Sequence, residues 1–133
     1  MQTHPPYALQ PAEFRFRSLA ALAGQAPLGG TRELLLAVLL IGRLFDGAVG
    51  RYALPALLRR RRATAARSWL SALALPVAAR ATLARAIDLS ASDDRRAMSE
   101  AWEQVVALVM PVLDGPARAE VRRLGQLLTI PPQ

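Results

Sequence analysis

The densest chemistry in this 133-residue chain is a run of four arginines, Arg59 to Arg62. A guanidinium is a planar, permanently charged fork of five donors that grips phosphate or carboxylate oxygens two at a time. Arg51, Arg67, Arg80 and Arg85 extend the run, so residues 51–87 hold eight Arg and no acid. The flanks differ, with four Arg and three acids in residues 1–50 and five Arg and seven acids in residues 88–133. The formal charge of +7 therefore belongs to one segment rather than to the chain at large. These eight arginines are the candidate anion-binding set. Nucleic acid, RNA or DNA, is the first partner they suggest, because phosphate contacts supply most non-specific affinity. An acidic protein is the other macromolecule such a surface would steer toward itself.

Other chemistries lack their residues. Without Cys there is no thiol nucleophile, disulfide or thiolate metal site, and without Lys there is no Schiff base and no phosphate-loop lysine. The single His, His4, cannot by itself make a two-His metal site, and a triad would have to be built around it. Asp93 with Asp94, and Glu100 with Glu103, are the only acid clusters suited to proton transfer or a divalent cation. The positive end of a helix dipole explains the first, and a solvated face shared with Arg96 explains the second. Gly47-x-x-Gly50 has no other part of a nucleotide fingerprint. The expectation is a non-enzymatic protein without a cofactor.

Arg supplies all 17 cationic side chains, and Asn is absent along with Lys, a bacterial-type composition that GC-rich coding produces. Codon bias explains Arg over Lys, but not why acids vanish from residues 51–87. With 53% hydrophobic residues and a mean hydropathy of +0.21, the chain has ample material for one core. Folding at this size buries roughly two-thirds of the extended chain's surface. Nothing in the first ten residues resembles an export signal, which predicts a cytoplasmic protein. The best membrane candidate, Leu34 to Leu58, is broken by Arg43, Asp46 and Arg51. Each central charge costs about 2.5 to 3.5 kcal/mol of insertion free energy, so an integral membrane protein is not expected.

Helices must position the arginines. A flexible, Pro-containing lead-in is expected over residues 1–10, one helical domain over 11–129 and a tail over 130–133. A first helix is predicted from Pro11 to Ala23, with Gly24 as its stop and a short strand at Phe14 to Arg17 as the alternative. Thr31 fits the N-cap of a second helix, apolar nearly all round and thus central, with Arg32, Arg43 and Asp46 as its narrow polar stripe. Close packing or helix termination is the simplest role for Gly42, Gly47 and Gly50. Pro55 suits the first turn of a third helix reaching Leu75, and Pro76 forces a kink or corner before a fourth that ends near Leu89. Ser90 or Ser92 would cap a fifth helix, with Asp93 and Asp94 in its first turn. Its seam is Met98, Trp102, Val105, Val109 and Val112, bent or ended by Pro111. Asp114-Gly115-Pro116 starts a sixth, with the seam Ala117, Val121, Leu124 and Leu128. The fold class is all-α, a compact bundle of five to six helices whose last two form an antiparallel hairpin.

On the third helix, about 100° per residue places Ala65, Trp69 and Leu73 with Leu58 on one face, taken as inward, with Trp69 in the core. Arg60 and Arg67 then face solvent, but Arg62 falls inside the apolar sector. Four consecutive arginines span most of the helix circumference, so one-sided burial cannot leave all four in water. The turn protrudes, or Arg62 snorkels or pairs with a buried acid, or an anionic partner neutralises the cluster. A second function fits the apolar seams: a protein–protein adaptor or homo-oligomer subunit that buries them against another chain.

Overall fold

Periodicities of three and four residues are realised as six α-helices in the computed structural model, which describes residues 16–27, 30–49 and 53–130. They are α1 (Arg17–Gln25), α2 (Thr31–Ala48), α3 (Ala56–Ser71), α4 (Val77–Leu89), α5 (Arg95–Val109) and α6 (Gly115–Thr129), with a 3-10 turn at Met110–Val112. Among the described residues there is no strand, so Arg17 opens a helix rather than ending a strand. The expectations for residues 1–15, among them the predicted helix start at Pro11 and most of the strand alternative, and for Gly50, Arg51 and Tyr52 lie outside the described residues, as does the end of the tail.

Helix α2 is the hub. Leu35, Ala37, Val38, Leu39, Ile41, Leu44 and Phe45 are buried around its circumference, and it packs against each of the other five helices. A polar stripe of Arg32, Arg43 and Asp46 leaves too little wettable surface for any other position. Gly42 serves close packing, because a Cβ there would stand 2.8 Å from Phe16 Cζ. At the helix start Thr31 is the first helical residue and Gly30 precedes it at φ +86°, a left-handed conformation that side chains resist.

Helices α5 and α6 form the expected hairpin, and their seams interlock around Trp102. The indole meets Phe16 and Phe45 edge-on at centroid distances of 6.3 and 6.0 Å. Its Nε1 donates to the Val121 carbonyl at 2.8 Å. Asp94 rather than Ser90 or Ser92 caps α5, accepting from Ala97 N at 3.0 Å, and Asp114 caps α6 by accepting from Ala117 N at 2.7 Å. Pro111 ends α5, and Val112 falls outside the seam because the 3-10 turn rotates it to the surface.

Two boundaries shift. Helix α1 passes through Gly24 and closes on Ala26, whose N–H donates to the Leu22 and Ala23 carbonyls. Helix α3 stops at Ser71 instead of Leu75: the Ala72 and Leu73 N–H groups donate to the Trp69 and Leu70 carbonyls in a tightened last turn, and Pro76 disfavours helical backbone at Leu75. Pro55 and Pro76 are the N-caps of α3 and α4, and the chain turns a corner through residues 72–76.

Candidate interaction site

Helix α3 is peripheral, packing chiefly on α2 and α4 through Ala63, Ala66 and Leu70. Its buried face is turned about 100° from the predicted one at 100° per residue. Ala65 is exposed, and Trp69 and Leu58 are 37% and 42% exposed, so the expectation of Trp69 in the core is overturned. Small alanines let α3 lie close to its neighbours, and this contact outweighs burying one large ring at the cost of a wider gap. The residue that accompanies Ala63 and Ala66 inward is Arg59.

Seven of the eight predicted arginines can now be placed, and Arg51 lies outside the described residues. Arg59, with its side chain 11% exposed, donates to the Leu54 carbonyl at 3.1 Å, the Ser92 carbonyl at 2.7 Å and Asp93 Oδ1 at 2.9 Å. It ties α3 to the loop between α4 and α5. Arg80 donates to the Leu70 carbonyl at 3.0 Å and to the Leu73 carbonyl, closing the C-terminus of α3 where the helix dipole favours a cation. Arg67 meets Asp88 at 3.4 Å in an exposed pair. Arg60, Arg61 and Arg85 are exposed, with no salt bridge among the described residues.

Arg62 is half-buried. Its Nη1 lies over Gly47, where a Cβ would collide with it, so Gly47 serves as the seat of a guanidinium. Burial pushes the Arg62 pKa below its ordinary value, Asp46 opposes that shift, and Arg43 adds to it. Arg43 and Arg62 both line a groove of about 400 Å³ between α2 and α3, together with Leu36, Leu40, Ala65 and Trp69. The Arg43 Nε is buried and finds no hydrogen-bond partner among the described residues. The groove thus combines an apolar lining with two like charges in one low-polarity space.

Several structural roles were not foreseen. Arg32 donates to the Gly24 and Ala26 carbonyls at 3.1 and 2.9 Å, and Arg95 donates to the Leu127 carbonyl, so α1 and α6 also end on arginines. Glu120 is buried, and its carboxylate accepts from Ser18 N at 2.6 Å and Leu19 N at 3.0 Å, capping α1 from α6. Its place between Ala117 and Leu124 on an apolar seam was the one sequence signal for it. Three of the four paired acids are engaged as well: Asp93 with Arg59, Asp94 with the start of α5, and Glu100 with Arg96 at 3.8 Å, while Glu103 is exposed. No helix of the described residues is long and apolar enough to cross a membrane. Comparison of the chain with protein families, curated proteins and solved structures finds no match.

Proposed function

We propose that the chain is a non-enzymatic helical interaction module that binds an acidic, partly apolar segment of another protein on the outer side of α2 and α3. The observation that carries this reading is the coincidence of charge and apolar surface on α3. Leu58, Ala65 and Trp69 form an exposed strip, Arg61 flanks it, and Arg43 and Arg62 sit in the groove beneath. A phosphate backbone would use the arginines but leave the strip in water, whereas an acidic protein segment covers both. Among the eight arginines of the original set, Arg59 and Arg80 serve the fold, which leaves fewer for a long polyanion.

The test uses the full chain and two surface variants, Arg61→Glu and Trp69→Ala. A protein captured from extract is identified, purified and titrated against each. The proposal expects at least tenfold weaker binding for both variants, and weaker wild-type binding as salt is raised. Duplex or RNA binding with a log-affinity slope of about −0.9 or −0.7 per phosphate, unchanged by Trp69→Ala, would replace this reading with the nucleic-acid one. A homodimer in solution that Trp69→Ala dissociates would assign the strip to a second copy instead.

A further inference from the structure

Resting on that reading, we infer that the α2–α3 groove receives one amphipathic helix that sets an Asp or Glu between Arg43 and Arg62 and its aliphatic side chains on Leu36, Leu40 and Trp69.

Spacing argues for a helical occupant. On α2 the partly exposed residues lining the groove are Leu36, Leu40 and Arg43, and on α3 the lining residues are Arg62, Ala65 and Trp69. They are spaced by four and three residues on α2 and by three and four on α3, the intervals at which one helix offers holes to the knobs of another. Two neighbouring helices with such rows present the surface that a third helix completes. The burial pattern agrees, since Leu36, Leu40 and Arg43 remain partly exposed while their neighbours Leu35, Leu39 and Leu44 are buried.

Charge argues for the carboxylate. Arg62 reaches across to Gly47, one turn beyond Arg43 on α2, so the two guanidiniums lie at one end of the groove and Trp69 lies toward the other. Asp46 is the acid whose field reaches Arg62, and Arg61 adds a further positive charge at the rim. Within the groove lining there is no acid to set against Arg43 and Arg62. The Arg43 Nε is enclosed and without a partner, so the protein does not satisfy Arg43 at that atom. An incoming carboxylate offsets the charge imbalance, and bidentate contact with a guanidinium orients it. The apolar end and the charged end together fix the polarity of the bound helix, with its aliphatic turns preceding or following the acid but not surrounding it.

The probe is a helical Ala/Gln host peptide of about five turns, carrying three Leu at heptad spacing and one Glu a turn beyond them. Its partner probe has Gln in place of that Glu. Fluorescence of Trp69 reports occupancy, and Trp69→Phe should abolish the signal, since Trp102 is buried elsewhere. Wild type should bind the Glu peptide about tenfold more tightly than the Gln peptide, the effect of roughly one charge-assisted contact. Arg62→Met and Arg43→Met should each erase that difference while leaving the Gln peptide's affinity unchanged. Circular dichroism checks the fold of each variant, and Arg62→Met alone carries the test where Arg43→Met does not fold. Equal affinities for the two peptides in wild type, or no titratable change with either, overturns the carboxylate anchor. If that happens while a captured partner still depends on Arg61 and Trp69, the anchor falls and the broader reading stands. If neither dependence exists, both fall.

Discussion

Helices α3 and α5 are nearly equal in length, at 16 and 15 residues, yet they hold their places in opposite ways. Helix α5 buries Met98, Ala101, Trp102, Val105, Val106 and Val109, and its large side chains point where their periodicity says. Helix α3 buries only Ala63, Ala66 and Leu70, and its largest side chain, Trp69, faces out. What substitutes for bulk on α3 is polar tethering, with Arg59 drawn inward onto two carbonyls and a carboxylate and Arg80 closing its C-terminus. An apolar stripe therefore marks the core only where nothing smaller offers a closer fit. On a tethered helix the same stripe stays exposed.

The two tryptophans give the largest test of this contrast. Trp102→Ala removes a fully packed ring, two edge-on aromatic contacts and a buried hydrogen bond to the Val121 carbonyl. It should lower unfolding free energy by about 3 to 5 kcal/mol in urea denaturation. Trp69→Ala, at a residue 37% exposed, should cost clearly less, about 1 kcal/mol. Comparable losses at the two positions would place Trp69 in the core after all.

Adjacent arginines give the next test. Arg59→Met leaves the Leu54 and Ser92 carbonyls without the guanidinium that crosses from α3, and should cost about 1.5 to 3 kcal/mol, the range for hydrogen bonds to charged groups. Asp93 contributes little to this, because its own side chain is 92% exposed and solvent screens the pair. Arg60→Met, one residue on and exposed, should stay within about 0.5 kcal/mol. If both substitutions cost the same, Arg59 is a solvated cation like its neighbour and the tether is absent.

The sequence showed most where a local rule decided the outcome. The interlocking seams of α5 and α6, the encircled hub α2 and the corner before Pro76 all follow from spacing or from the backbone limits of proline. The face of α3 was hidden because it depends on contacts distant in the chain. Arg59 reaches a carbonyl 33 residues away, and Glu120 caps amides 101 and 102 residues away. No periodicity encodes such pairs. The concentration of charge in residues 51–87 was legible at once, but not its division among a tether (Arg59), a helix cap (Arg80), a groove (Arg62) and exposed positions (Arg60, Arg61, Arg85). That division depends on which backbone carbonyls are left unpaired nearby, and they become visible only when the helices have been placed.

The smallest contrast is between two adjacent alanines on α3, and it tests the orientation of the helix most directly. Ala66 is 4% exposed and stands where α3 approaches its neighbours, so Ala66→Leu must push the helices apart or force a strained rotamer. Overpacking of this kind should cost about 1 to 3 kcal/mol. Ala65 is exposed, and Ala65→Leu adds a side chain to open surface with no backbone to displace. Leu and Ala differ little in helix propensity, so Ala65→Leu should change stability by less than about 0.5 kcal/mol. Thermal or urea unfolding of the pair measures the difference without any partner present. If the signs reverse, with Ala65→Leu costly and Ala66→Leu neutral, α3 is turned the other way. Trp69 would then be core, and the strip on which the acidic partner is proposed to dock would not exist.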